Sequence, residues 1–373
     1  MTDIAIREVR SRADLKKFRR LPFAIYRDDP LWVPPLNFDV KNRLNRAKNP
    51  FFEHSEAIYF LAERAGRTVG RIAAILNRRH QEFHEDRVGF FGWFECENDA
   101  EVALSLFTAA ESWLRERGCD TLRGPASFSL NDECGLLIEG FHRPATMLTP
   151  WNPPYYADLL ESCGFSKAMD LNSYYMPVMD FPLERTERII RLIKKREGAT
   201  VRKFDPSRYD EEVARVLNIY NEAWTKNWGF VPMTESELKH MAKDMKPVID
   251  PRLASFVEIE GRAVGFALVL PDINCILKKL GGRLFPFGIF RLLFGLKRVP
   301  GVRLLAMGVS EEFHKRGIDA LLYQSSFEGS VEGGRVWSEL GWVLENNTVM
   351  HNALIKLNAN LDRVHRLYDR AIS

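Results

Sequence analysis

The sequence predicts an α/β protein with a mixed α+β sheet, laid down twice along one chain of 373 residues. Three observations carry that expectation. First, Gly66-Arg67-Thr68-Val69-Gly70 lies between FLAERA and RIAAIL, and Gly261-Arg262-Ala263-Val264-Gly265 lies between FVEIE and FALVL. Each reads as an antiparallel hairpin with a glycine at its turn. Second, the offset between them, 265 − 70 = 195 residues, also brings Ile6-Arg7 onto Val201-Arg202. Trp32-Val33-Pro34 falls close to Phe230-Val231-Pro232, at 230 − 32 = 198. Ordered landmarks at nearly constant spacing indicate duplication. Third, LLAMGVSEEFHKRGIDALL (304–322) reads as a buried strand to Val309, a polar loop with one glycine, and a helix opening near Ile318.

Composition bounds the rest. The length suits two domains of ordinary size, here drawn as 1–180 and 181–373. Hydrophobic residues at 46% and charged residues at 28% describe a soluble globular chain, and a formal charge of +3 gives no reason to invoke nucleic acid. Cys96, Cys119, Cys134, Cys163 and Cys275 lack CxxC or Cys/His ligand spacing, so neither a metal site nor a disulfide framework is expected. The first residues, MTDIAIREVRSRADLKKF, contain no apolar signal core. No run of about 18 apolar residues occurs that would cross a membrane. The expected location is cytoplasmic, with the inner face of a membrane as a peripheral option.

In order, the first half continues with a strand at 87–94, a helix at 100–117 and a strand at 121–124. Val102, Leu106, Ala109, Ala110, Trp113 and Leu114 recur at helical spacing, which turns one face of that helix onto a sheet. Between strand and helix stands Glu95-Cys96-Glu97-Asn98-Asp99, acidic and without glycine. The stretch 124–152 sets Asn131, Asp132 and Glu133 among glycines and aromatics, a composition suited either to a loop lining a site or to an ordinary surface loop. A basic helix over 183–197 reads as a solvated face. In the second half, 209–224 is amphipathic and runs into Trp228-Gly229-Phe230, whose aromatics suit an apolar acceptor wall or packing beneath a loop.

The loop at 314–319 has its own chemistry. Unpaired N–H groups at a helix start, with the positive end of the helix dipole, attract anions. Lys315 and Arg316 add charge, and Gly317 removes the Cβ that would hold a phosphate away. An ordinary strand–turn–helix remains the plain alternative. His314-Lys315-Arg316-Gly317-Ile318-Asp319 resembles the pyrophosphate loop of the GNAT superfamily of N-acyltransferases, (Q/R)xxGx(G/A). His314 and Asp319 depart from that pattern, and Asp319 would repel a diphosphate unless it turned away or capped the helix. Downstream, the strand 336–342 and Glu345-Asn346-Asn347 opening a helix follow the same order of elements, as does Tyr155 to Phe165 in the first half.

The resemblance implies two tandem GNAT domains and transfer of an acyl group from acyl-CoA or acetyl-CoA to an amine, without metal. It implies that Met307-Gly308-Val309 faces the thioester and that His314 to Asp319 hold the diphosphate. Asn346 and Asn347 would contact the pantetheine arm or cap the helix. The acidic stretch 95–99 implies that the first half has lost the cofactor. Glu339 is the first choice for general base, against a structural pairing with an arginine; Asp132 and Glu133 are second choices. The superfamily's frequent tyrosine acid falls on Leu354, leaving Tyr323 and His351 as substitutes, with core packing the alternative for Tyr323. Trp228, Phe230 and Asn131 would meet the substrate.

One insertion sets the halves apart. Where the first half spends residues 78–86, the second spends 274–302, dense in Leu, Ile and Phe, with basic residues and no acid. Such a segment suits an anionic membrane surface (276–298), the mouth of a site for a long acyl chain, or a helical hairpin packed on the protein. The expected acceptor is therefore a small-molecule or lipid amine, resembling tandem GNAT proteins of bacterial sphingolipid N-acylation. Two alternatives stay open: an aminoacyl or peptide acceptor transferase, and a non-catalytic acyl-CoA-binding protein.

Overall fold

A computed structural model describes residues 3–372. The chain forms two compact units: the first runs to Leu171 and also takes Leu280–Arg283 and everything from Arg363 onward, and the second takes the remainder. The boundary falls at 171/172 rather than 180, and the C-terminal strand returns to the first unit.

Unit 1 begins with β1 (Ile4–Glu8), α1 (Arg12–Ile25) and α2 (Asn37–Arg43). It continues through β2 (Glu56–Arg64), β3 (Arg67–Leu76), α3 (Arg78–His84), β4 (Val88–Cys96), α4 (Ala100–Arg115), β5 (Thr121–Gly124), β6 (Leu136–Glu139), α5 (Tyr156–Ser162) and the first half of β7 (Ser166–Pro177). β1 to β4 pair antiparallel in sequence order, and β4 pairs β5 parallel. The apolar stripe of α4 packs on this sheet with Phe91, Phe107, Tyr156 and Phe165 in one core.

Unit 2 repeats the plan. α6 (Leu183–Glu197) leads into β8 (Thr200–Lys203), α7 (Tyr209–Trp224), α8 (Glu235–Met245), β9 (Ala254–Ile259) and β10 (Arg262–Pro271). The insertion forms two short helices, α9 (Asn274–Leu280) and α10 (Gly288–Gly295). Then come β11 (Gly301–Val309), α11 (Ile318–Glu332), β12 (Trp337–Leu344) and α12 (Thr348–Lys356), and the chain ends in β13 (Asn360–Ala371). β8 to β11 pair antiparallel, and β11 pairs β12 parallel. α6 and α11 cover one face of this sheet, and α7 covers the other around Phe256 and Phe266.

The duplication is visible in the backbone. Each hairpin turns on two residues with positive φ, Ala65-Gly66 (50° and 75°) and Glu260-Gly261 (51° and 76°), the conformation that matches strand twist. Each hairpin carries a bulge at the same relative place, Val69 and Val264, 195 residues apart (264 − 69). The closing glycine of each motif has a packing reason. A Cβ on Gly70 would lie 2.7 Å from Leu106 of α4, and one on Gly265 would lie 3.4 Å from Ile318 and Leu322 of α11. The motif thus marks a turn at one end and the crossing of the next helix at the other.

One expectation needs correction. α6 is not merely a solvated face, because Ile190 and Ile193 are buried in the core beneath α11. Its exposed face alone accounts for the basic pattern.

Candidate functional site

The parallel strands β11 and β12 are paired only from Gly301–Trp337 to Leu304–Leu340. Beyond Leu304, β11 runs on to Val309, still paired with β10 but with no ladder on its other side. The cause is a bulge: Leu268 faces Ala306 while Val269 faces Leu304, so Leu305 is the extra residue on β11. The bulge bends β11 where its contact with β12 ends, and the two strands part. Met307, Gly308 and Val309 lie on this unshared edge. Gly308 also has a packing reason, since a Cβ there would meet Trp224 of α7 at 2.5 Å.

The loop after β11 is fastened at its start. Ser310 donates to Glu222 of α7 (2.9 Å), as does the Glu311 N–H (3.0 Å), and Lys226 pairs with Glu311. His314 donates through Nε2 to the Val309 carbonyl at 2.8 Å, which fixes the proton on that nitrogen. Lys315 and Gly317 both adopt positive φ (63° and 84°), and α11 begins directly after Gly317 with no side chain capping it. Asp319 sits in the first turn and does not cap; the first main-chain donors of α11 are left to the loop's open side. Arg316 pairs with Glu197 at 3.3 Å, and its carbonyl accepts from Arg196. Gly317 is required twice over, by its φ and by Ile193, whose Cδ1 would lie 2.6 Å from a Cβ. Neither Glu222 nor Ile193 stands out in the sequence; no local pattern marks them.

The corresponding place in unit 1 is built to the opposite effect. Its ladder between β4 and β5 also stops early, at Phe90–Arg123, with a bulge on β4 near Trp93. Here, however, the Ala126 N–H donates to Phe91 O at 2.8 Å, and a Cβ on Gly92 would fall 1.8 Å from the Ala126 carbonyl. The chain itself fills the gap. Tyr155 donates to the Cys96 carbonyl (2.9 Å), and Tyr156 accepts from the Cys96 N–H (2.8 Å). Tyr156 and Tyr26 both donate to the buried carboxylate of Glu95, at 2.7 and 2.9 Å, and Arg71 approaches it at 3.4 Å. Burial raises the Glu95 pKa against the pull of Arg71 and the two hydroxyls. The start of α4 is occupied as well, since Asp99 accepts from the N–H groups of Glu101 and Val102.

The other candidates fall as follows. Glu339 of β12 is wholly buried, its carboxylate 4.0 Å from Arg303, its register partner on β11. Tyr323 is a core residue whose hydroxyl donates to Met350 Sδ at 2.9 Å. Burial, then Asp319, raises its pKa well above the usual tyrosine range, so the packing alternative describes it and the substitute-acid assignment is set aside. Asn347 caps α12 by accepting from the Met350 N–H at 3.1 Å, while Asn346 is exposed. Leu354 is buried where the superfamily tyrosine would stand. His351 bridges Tyr174 (2.7 Å to Nδ1) and the Leu344 carbonyl (3.0 Å to Nε2). Phe230 is buried against Tyr220 and Trp228 is half-buried. Asn131, Asp132 and Glu133 belong to unit 1, where Arg43 pairs with Glu133 at 3.2 Å and approaches Asp132 at 3.9 Å. Among the described residues no group of His, Cys, Asp and Glu is arranged to hold a metal ion, all five cysteines are free, and no helix is long and apolar enough to cross a membrane.

Comparison with known proteins settles the family. The sequence is 38% identical to the bacterial ceramide synthase of Caulobacter vibrioides (strain NA1000 / CB15N), over 99% of this chain and 98% of that protein. The chain belongs to the bacterial ceramide synthase family. Protein YghO of Escherichia coli K12 is 35% identical over 98% of this chain and 95% of its own. No family model matches the sequence. In structure, a tandem GNAT protein from the clavulanic acid biosynthesis pathway matches with a TM-score of 0.58 and 12% identity, covering 100% of this chain and 99% of that one. A GCN5-related N-acetyltransferase from Sphaerobacter thermophilus matches at 0.53 and 15% identity, over 99% and 96%. The family member described here thus has the tandem GNAT fold and is an enzyme, an N-acyltransferase that moves an acyl group to an amine.

Proposed function

We propose that this chain transfers a long-chain acyl group from acyl-CoA to the amine of a sphingoid-type lipid, with the co-substrate held by unit 2. The observation that carries the reading is the uncapped start of α11 on left-handed Gly317, beside the point where β11 and β12 part. The N–H groups of Gly317, Ile318 and Asp319 would hold the diphosphate, with His314, Lys315 and Arg316 at its rim. The free edge of Met307-Gly308-Val309 would take the amide-bearing arm and present a donor to the thioester carbonyl. Bound there, acyl-CoA supplies the activated acyl group. The chain's own residues hold it, shield it and manage the amine's proton.

Glu339 is the proposed base. Its burial beside Arg303 keeps it close to one cation, and access by a proton carrier is what the test below examines. Asp132 and Glu133, already committed to Arg43, are second choices. With Leu354 in the tyrosine position, the thiolate departs without a tyrosine acid. Trp228, Phe230 and Asn131 are proposed to meet the acceptor, and Asn347 acts as a cap. The filled gap and the Asp99-capped helix of unit 1 support a first half that holds no co-substrate. The ceramide synthase relative supports a lipid amine. On this reading the enzyme is cytoplasmic and works peripherally, at the inner face of the membrane that supplies its lipid.

The experiment is a thiol-release screen of short and long acyl-CoAs against sphingoid bases and water-soluble amines. Turnover confined to long chains and sphingoid bases is expected, and turnover confined to short chains and soluble amines would remove the lipid assignment. Glu339→Gln should reduce turnover by about a hundredfold or more with acyl-CoA affinity retained. Unchanged turnover would move the base elsewhere.

A further inference from the structure

The inserted segment of unit 2 has two unlike sides. Ile276, Leu284 and Leu292 are buried, and Ile276 lies 2.8 Å from where a Cβ on Gly295 would stand, so α9 and α10 touch there. On the other side Phe285, Phe287, Phe290, Leu293 and Phe294 are 72, 79, 55, 52 and 77% exposed. Phe287, Phe290 and Phe294 follow the i, i+3, i+7 spacing of one helical stripe. Five large apolar side chains more than half exposed within ten residues exceed the scattered exposure of an ordinary surface.

The charge around them is of one sign. Lys278, Lys279, Arg283, Arg291, Lys297 and Arg298 are all exposed, and 274–302 contains no Asp or Glu. These six exceed the chain's whole excess of +3; without them the remainder would stand at 3 − 6 = −3. Positive charge is therefore concentrated where the aromatics are exposed. A second copy of the chain is a poor occupant, because a twofold contact would bring the same cations together. The eight-residue α10 is about 12 Å long, far short of a bilayer's hydrocarbon thickness, so it lies in the surface rather than across it.

We propose that the outer face of α10, with Phe285 before it, inserts into the interface of an anionic phospholipid bilayer, while the surrounding Lys and Arg side chains pair with the lipid head groups. This deepens the reading of a lipid acceptor by naming the surface on which the enzyme meets it, and rests on that reading only for its purpose. The aromatic side chains supply apolar burial and the cations supply attraction that weakens with salt.

The test is flotation of the full-length protein with vesicles, without substrate. Equimolar phosphatidylglycerol and phosphatidylcholine are compared with phosphatidylcholine alone, at low and high salt. The expected result is co-flotation with the anionic vesicles only, reduced by salt. It should weaken about thirtyfold in Phe290→Ser/Phe294→Ser and be lost in Lys297→Glu/Arg298→Glu. Both variants should keep the melting temperature and the turnover of acyl-CoA with a soluble amine or a detergent-dispersed base. Equal binding of wild type and variants to neutral vesicles would overturn the proposal. So would a wild-type dimer that the phenylalanine substitutions dissociate without affecting flotation. Vesicle binding without any acylation would leave this surface standing and remove the enzymatic reading instead.

Discussion

His80 shows how much of a residue's behaviour is set by its surroundings. It is 1% exposed, with the edge of its ring system against Phe90 and its Nε2 3.2 Å from Asp86. Burial lowers its pKa to about 4, against the opposing pull of Asp86 and together with the repulsion of His84. The folded protein thus keeps His80 neutral down to about pH 4, while the unfolded chain takes up the proton below about 6.5. Between those values the unfolded state binds more protons, so stability rises with pH and is lost on acidification. The window is worth up to about 3 kcal/mol. Urea midpoints measured from pH 7 to pH 4.5 should fall more steeply in the wild type than in His80→Leu; parallel curves would show that this histidine titrates normally. The residue is plain in the sequence, but its neutrality depends on Asp86, His84 and Phe90 being assembled around it. The same holds for Glu95, which reads as one more repelling charge in an acidic run. In the fold it is the buried acceptor of two tyrosines and an arginine.

At the scale of elements, local signals carried furthest. β5, α7 and the start of α11 fall where the sequence places them, and Asn347 takes the capping alternative offered for it. These features depend on turn glycines, caps and periodicity within a few residues. The loop 310–317 is different, because its anchor lies on another element. Glu222 at the end of α7 holds Ser310 and the Glu311 N–H, so it positions the loop without lying in it. Glu222→Ala should free the loop and raise the KM for acyl-CoA about tenfold, since hydrogen bonds to a charged group contribute about 1.5–3 kcal/mol. kcat should change little, and Glu222→Gln should recover part of the loss. A fall in kcat at unchanged KM would count against a positioning role. α6 repeats the lesson: its sequence advertises charge, and its function in the fold is two buried isoleucines beside Gly317.

At the scale of the whole molecule, the unexpected feature is the route of the chain. β13 pairs antiparallel with β5, matching Tyr368–Ala371 to Gly124–Thr121. Arg123 and Asp369 form a bidentate pair at 2.8 and 2.7 Å, and Arg370 reaches Glu111. Tyr368 is wholly buried in the core of unit 1. Ending the chain at residue 359 should therefore unfold unit 1, although its own sequence is untouched. Limited proteolysis should cut first within 1–171, and a fragment of 1–180 should not fold alone. A stable, protease-resistant 1–180 fragment would contradict this. By itself the sequence determined the duplication, the two hairpins, the strand–loop–helix of the second half and the uneven charge of the insertion, because each is written in spacing and composition over short distances. Tertiary structure decided which half keeps an open gap between its parallel strands, which polar groups are buried, and which strand completes the first unit. Those outcomes depend on segments far apart in sequence reaching the same place, and a linear pattern does not encode that meeting.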